Sequence, residues 1–336
     1  MRPPLSLAQT SPTVTVFLPT YNRPEMFRRA LSSILEQTFQ NFVVHILDNG
    51  SSPPIRIPAF CENDPRLQIL RIEDNNERYA LIFREAHRLS TKYCTYLCDD
   101  DAWAPEKLEK QVALMEKRAD VLACFTWASL LNDEGQTFIP PSHITRYAII
   151  FNQPNRTQAA WVRTFFEQGN CLCQPSALIR SDWMPRIFPH NPFRYLGDLW
   201  MWAHLIGHGN IHLLEEPLTR FRISLDGQTE SSGLDKGGKS DQYQYESGQI
   251  LRILAGHHPD LLKAAFEMPL SASDHDLHVK IFERALAIGK EHSGHRRFAT
   301  EYAQSLFEQY QVKDIPALTG YWSAAFDKAA TGSCYA

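Results

Sequence analysis

Apolar residues in the first half of the chain fall into short β-branched runs separated by stretches with helical spacing. The run Thr13–Leu18 reads as a buried strand stopped by Pro19. Asn22-Arg23-Pro24 then opens a helix in which Met26, Phe27, Ala30, Leu31, Ile34 and Leu35 recur at helical intervals, with Arg28, Arg29, Ser32 and Glu36 on the other side. Further strands are predicted over Phe42–Leu47, Leu67–Ile72 and Tyr93–Leu97. Helices are predicted over about 79–89 and from Pro105 through Lys117, since a proline is tolerated in a first turn whose N–H groups have no partner. Strands alternating with helices predict an α/β fold, a mostly parallel sheet between helical layers.

Ile211–Leu214 has the pattern of another strand, and Gly207 and Gly209 interrupt the helix that would otherwise align His204, His208 and His212 on one face. Asp226–Ser240, rich in Gly, Ser and charge, reads as a loop or linker. Helical periodicity returns over Tyr245–Ala265, Leu277–Ile288 and Arg297–Gln309. The expected organisation is a tail over 1–11, an α/β domain over 12–230, and a linker with a helical C-terminal region over 231–336.

Composition narrows the classes. Hydrophobic residues at 43% and charged residues at 21% are those of an ordinary globular protein, which excludes wholesale disorder and collagen-like or coiled-coil architecture. With 34 basic and 38 acidic residues the formal charge is -4, so there is no global positive field and nucleic acid is not expected as a partner. The apolar window Leu122–Leu131 is interrupted by Thr126 and Ser129 and falls short of the about 20 residues that cross a bilayer. No membrane span is expected, although peripheral contact is compatible with the pattern. The N-terminus lacks the apolar core of an export signal, and the cysteines lack a CxxC pair. Reduced thiols in a cytoplasmic protein, at most at the inner face of the membrane, are therefore expected, with Cys171 and Cys173 buried. His257, His258, His275, His278, His292 and His295 lie in the polar tail and are expected at the surface.

In open α/β sheets, ligands bind beyond the carboxyl ends of the strands. Three of the predicted strands end at Pro19-Thr20, at Asp48 and at Asp99-Asp100-Asp101, so their loops are expected to share one crevice. Three adjacent carboxylates repel one another unless a cation or water screens them. A hard divalent ion held together with substrate phosphates satisfies that need. A solvated acidic turn capping the next helix is the alternative.

At this point the chain resembles a known family. Val16-Phe17-Leu18-Pro19-Thr20-Tyr21-Asn22-Arg23-Pro24, Ser32–Thr38, Asp48-Asn49-Gly50-Ser51-Ser52 and Tyr96–Leu108 are similar, in order, to the nucleotide-side motifs of the family-two inverting glycosyltransferases of GT-A fold. Gly169–Arg180, Gly197–Leu205 and Glu216–Arg222 resemble that family's acceptor-side strand, catalytic-base helix and closing strand. The resemblance implies a GT-A, Rossmann-like mostly parallel sheet with a C-terminal helical extension. It implies transfer of a sugar from a nucleotide-diphosphate donor, a UDP-sugar in the favoured reading, to a hydroxyl of a glycan, lipid-linked or other acceptor. It further implies a divalent metal, Mn2+ or Mg2+, and a role in polysaccharide or glycoconjugate synthesis.

Carried over by position, the resemblance assigns Pro19, Thr20, Tyr21, Asn22, Arg23, Asp48, Asn76, Arg78 and Asp99 to the nucleotide side. Asp100, with Asp101, is assigned to the metal and Asp198 to general-base catalysis. Arg222, Trp200, Trp202 and His204 are assigned to diphosphate or acceptor contacts, with one indole expected in the core and the other on a pocket wall. Cys98, Gly197 and Ser224 depart from the family's pattern. A GT-A module that binds nucleotide sugar or glycan without turnover is therefore the second reading. A sugar nucleotidyltransferase would need a Gly-rich phosphate loop where Pro19-Thr20-Tyr21-Asn22 stands.

Overall fold

The computed structural model describes residues 11–73, 84–139, 150–187, 193–223 and 239–310. They pack as two units that are interleaved along the chain. The first takes the described residues of 11–156, 171–187 and 209–223, and the second those of 157–170, 193–208 and 239–310. The segment expected as one domain over 12–230 thus contributes to both, and the expected boundary after 230 lies outside the described residues.

The first unit is built on an eight-stranded sheet of order β3-β2-β1-β4-β7-β6-β8-β5. Its strands are β1 (Val14–Thr20), β2 (Phe42–Asn49), β3 (Leu67–Ile72), β4 (Tyr93–Tyr96), β5 (Ala102–Trp103), β6 (Val121–Leu131), β7 (Leu178–Arg180) and β8 (Asn210–Arg222). β1 runs parallel to β2 and β4, β2 to β3, and β6 to β8, whereas β7 is antiparallel to β4 and β6, and β5 is antiparallel to β8. The two strands expected over Ile211–Leu214 and Glu216–Arg222 are one strand, β8, with register irregularities opposite Thr126–Ala128.

β1 does not stop at Pro19 but continues to Thr20 beside β2. The carbonyl of Phe17 accepts from the N–H of Leu97 at 3.0 Å, just past the end of β4. Pro19, two residues on, faces the same side, where no strand remains to require its missing N–H.

Helix α1 (Pro24–Leu35) buries Phe27, Ala30, Leu31 and Ile34, the stripe predicted from spacing, and these residues join Val14, Val16, Leu18, Val44 and Ile46 in one core cluster. Helix α2 (Lys107–Lys117) starts two residues after Pro105. Its entry is fixed from outside, because the side-chain oxygen of Gln37 accepts the Leu108 N–H at 3.0 Å and the carbonyl of Pro105 accepts the Thr38 N–H at 2.8 Å. Of the helix expected over about 79–89, residues 84–89 are described; 84–86 are helical, and the helix ends there rather than at 89.

Apart from the four-residue α4 (Met184–Ile187), which belongs to the first unit, the remaining helices form the second unit: α3 (Gln158–Gln168), α5 (Gly197–Ile206), α6 (Lys239–Ala255), α7 (Pro259–Ala265), α8 (Asp274–Ile288) and α9 (Ser293–Tyr310). The run expected as one helix over 245–265 is broken into α6 and α7 by Gly256-His257-His258. Three of the tail histidines are not the free surface residues expected. The Nε2 of His295 meets the Phe166 carbonyl at 2.5 Å, and the Nδ1 of His278 meets the Tyr302 hydroxyl at 2.5 Å. Burial lowers His257 to about 4, and a Cβ on Gly207 would come within 2.4 Å of its ring.

Candidate active site

The sheet reverses its winding at β1, which has β2 on one side and β4 on the other, and such a switch point opens a crevice between the loops that leave the two directions. The sequence places Pro19-Thr20-Tyr21-Asn22-Arg23 on one lip and Asp99-Asp100-Asp101 on the other. The structure joins them directly. The Thr20 hydroxyl donates to Asp99 Oδ2 at 2.9 Å, and Arg23 Nη1 donates to Asp99 Oδ1 and Asp100 Oδ2 at 3.3 Å each. Thr20 and Asp99 are buried, whereas Tyr21 is 42% exposed.

The loop after β2 is tied into the same place. Asn22 adopts φ 54, a left-handed conformation that asparagine tolerates. Its N–H donates to Ser51 Oγ at 3.0 Å, and its side-chain oxygen accepts the Ser52 N–H at 2.7 Å. Gly50, at φ 85, supplies the turn that no β-branched residue would allow. Asp48, fully buried, accepts the N–H groups of Ser51 at 2.9 Å and Ile55 at 3.2 Å and Arg71 Nη1 at 2.5 Å. Burial alone would raise its pKa, but the bonds from Ser51, Ile55 and Arg71 outweigh that and hold it below the ordinary value. Sequence reasoning missed Arg71. It stands opposite Asp48 in the β2–β3 register, a pairing visible only once the strands are aligned. Asn76 and Arg78 lie outside the described residues.

The acidic triplet carries more charge than its surroundings neutralise. Burial, then the neighbouring Asp100 carboxylate, pushes Asp99 up to about 6 despite Thr20 and Arg23. Asp101 is buried and held well above the ordinary carboxylate value by burial and by Asp100, although its Oδ1 accepts the Arg222 N–H at 2.8 Å. Arg222 Nη1 lies 3.8 Å from Asp100 Oδ2, and its Nη2 pairs with Asp133. Ligand atoms of Cys98, Asp100 and Asp101 lie within 4.8 Å of one another. Burial, then the three aspartates, raises the Cys98 thiol, so the carboxylates are the hard oxygen donors here. That set suits Mg2+ or Mn2+ rather than a thiophilic ion. A cavity of about 260 Å³ beside the triplet is lined by Asp99, Asp100, Asp101, Arg220 and Arg222 among others.

Asp198 belongs to the second unit, in the first turn of α5, and is partly exposed. It does not cap the helix. Leu196 occupies that position without a side-chain bond. Instead Asp198 Oδ1 accepts the Leu199 N–H at 2.7 Å, and its Oδ2 accepts Asn170 Nδ2 at 2.5 Å. Desolvation raises it to about 6 against these hydrogen bonds, and among the described residues no cation contributes. A carboxylate so placed is still ionised at neutral pH but binds a proton more readily than an ordinary aspartate.

The aromatic expectation on α5 needs correcting. Trp200 is 6% exposed and Trp202 0%, so neither presents a ring face for a sugar to stack on. Both are held in the core because α5 is apolar nearly all round. The His204 ring packs 4.2 Å from Trp200, and burial lowers its pKa. Cys171 and Cys173 are buried, as expected.

A mixed sheet with a switch point at β1 and an acidic triplet at its lip is the frame of the GT-A fold. The Glycosyl transferase family 2 pattern matches residues 15–182, and the chain belongs to that family. It is 24% identical over 217 residues to the uncharacterized glycosyltransferase MJ1057 of Methanocaldococcus jannaschii, covering 63% of this chain and 71% of that protein. It is 27% identical over 205 residues to the Escherichia coli UDP-Glc:alpha-D-GlcNAc-diphosphoundecaprenol beta-1,3-glucosyltransferase WfgD, covering 59% and 71%. The chain spans about 50% of the length of other curated relatives it matches. S. aureus TarS 1-349 shares the fold with a TM-score of 0.55 at 12% identity, over 89% of this chain and 91% of that one. Among the described residues no helix is long and apolar enough to cross a membrane.

Proposed function

We infer that this glycosyltransferase moves a sugar from a nucleotide diphosphate, a UDP-sugar in the favoured case, to an acceptor hydroxyl with inversion at the anomeric carbon. The observation that carries the reading is the junction of Thr20, Arg23, Asp99 and Asp100 at the switch point of the sheet. The name of WfgD describes a UDP-glucose donor and a diphosphate-linked lipid acceptor for that protein. It supports the same classes of donor and acceptor here, and with them polysaccharide or glycoconjugate synthesis on the cytoplasmic side of a membrane.

Asp99, with Pro19, Thr20, Tyr21 and Asn22, would hold the nucleoside, and Asp48 would order the loop beside it through Ser51 and Ile55. Asp100 and Asp101 would hold a divalent metal. When bound, that metal supplies positive charge against the negative charge that develops on a departing diphosphate. Arg23 and Arg222, already aimed at Asp100, add fixed positive charge beside it. Asp198 takes the proton from the acceptor hydroxyl as the new bond forms, so a single displacement needs no covalent enzyme intermediate.

The test is a donor panel incubated with metal, with nucleoside-diphosphate release and the anomeric configuration of the product read by NMR. Inverted product from a UDP-sugar, with Asp100→Ala losing metal-stimulated donor binding, is the expected result. Donor binding without release from any donor would mark a binding module, and a retained configuration would refute the mechanism.

A further inference from the structure

Glu246, on α6, is wholly buried, yet among the described residues no cation lies within ion-pair reach of it. Its carboxylate is occupied by backbone instead. Oε1 accepts the Arg194 N–H at 2.9 Å, and Oε2 accepts those of Tyr195 and Leu196 at 2.9 Å each. Gln242 Nε2, one turn earlier on the same helix, donates to Oε1 at 3.0 Å. A buried carboxylate is tolerated only when its lone pairs are met, and here three successive amides meet them.

Those amides lead into α5. Leu196 is the residue before its first turn and makes no side-chain capping bond of its own, so the entry is fixed by a carboxylate delivered from fifty residues downstream. The positive end of the α5 dipole points toward that carboxylate, which adds to the hold. Asp198 sits two residues beyond Leu196. Its side chain is steered by Leu199 and Asn170, but its Cα is set by the backbone that Glu246 grips.

We propose that Glu246 is a positioning residue for Asp198, and that aligning the base is a task of the C-terminal helical region. The proposal rests on the reading of Asp198 as the base given above. A general base displaced by about 1 Å loses up to about a hundredfold in rate, while groups that bind the donor are untouched. Glu246 touches none of the described nucleotide-side residues, so its effect belongs in kcat and not in donor affinity.

Glu246→Gln keeps the shape but turns one acceptor into an N–H donor facing a backbone N–H. The expected outcome is a ten- to hundredfold fall in kcat, about the range a misplaced base produces. Donor KM should stay within twofold of wild type, and amide exchange should quicken over 193–199 but not across α7–α9. Glu246→Asp, which keeps both oxygens on a shorter arm, should fall between the two and serves if the glutamine variant does not fold. Unchanged kcat with faster exchange at 193–199 overturns the proposal. So does a loss spread evenly over kcat, KM and exchange throughout α6–α9, because that marks mere stabilisation. Asp198→Asn is run in parallel. Full transfer by that variant removes the base assignment and the positioning role with it, whereas loss of transfer there with unchanged kcat in Glu246→Gln removes the positioning role alone.

Discussion

Asp198→Asn separates activity from stability, and the structure sets the size of both effects. Desolvation lifts the carboxyl from 3.8 to about 6. At about 1.36 kcal/mol per unit, holding the ionised form in the fold costs about 3 kcal/mol, and partial exposure to water brings this nearer 2. The raised pKa means that the folded chain binds this proton more tightly than the unfolded chain. The cost is therefore absent below about pH 4 and full above about pH 6. Asparagine removes the charge but accepts only one of the two N–H groups from Leu199 and Asn170, a loss of about 1 kcal/mol. The variant should therefore be more stable than the parent by about 1 kcal/mol above pH 6 and show no gain below pH 4, as read by urea unfolding. Transfer should fall by about a hundredfold or more, and the parent's kcat at saturating donor and metal should drop about tenfold between pH 7 and pH 5 as the base protonates. Near-parental transfer, or a stability gain that grows in acid, would refute the reasoning.

Two further outcomes follow from the charges elsewhere. Arg23 bridges Asp99 and Asp100 at 3.3 Å while 44% exposed, so it competes with a cation for the Asp100 carboxylate; Arg23→Ala should tighten Mn2+ binding measured by calorimetry without donor, and weaker binding would show that the guanidinium is not a competitor. Lys107 is fully buried with Nζ 2.8 Å from Gln111 Oε1 and 4.1 Å from the Trp103 ring centre, and burial lowers it from 10.5 to about 7. Its charged form is disfavoured in the fold, so wild-type stability should fall by a few kcal/mol as pH drops from about 10 to about 7, and Lys107→Met should flatten that slope in urea titrations; parallel slopes would refute it.

What was legible in the sequence was whatever local spacing determines. The α1 stripe, the strand runs of β1, β2 and β3 and the acidic stop after β4 all read directly, because a buried face imposes its own period. Helix α3 lies outside the predicted elements, although Thr157 caps it and Trp161, Val162, Phe165 and Phe166 recur on its buried face. The Asp48–Arg71 pair needed the β2–β3 register, and Glu246 needed contacts about fifty residues away. Family-like order singled out Thr20, Asp99 and Asp198 as candidates. It did not show that Arg23 spans two aspartates, nor that both α5 indoles are buried, since the exposure of a ring depends on everything packed around it.

The interleaving of the two units has a consequence for how the chain divides its work. Thr20, Asn22, Arg23 and Asp48, all assigned to the nucleotide side, are tied to other strand ends of the first unit: Thr20 and Arg23 to Asp99, Asn22 to Ser51 and Ser52, and Asp48 to Arg71. Every described support of Asp198 comes instead from the second unit, through Asn170 on the segment after α3, Leu199 in α5 and, one step removed, Glu246 in α6. A site residue is only as well placed as the groups that lock its backbone and rotamer. In the proposed mechanism, donor affinity and the proton-transfer step therefore rest on different packing, so a helical region to which no nucleotide-side residue is assigned can still set the rate.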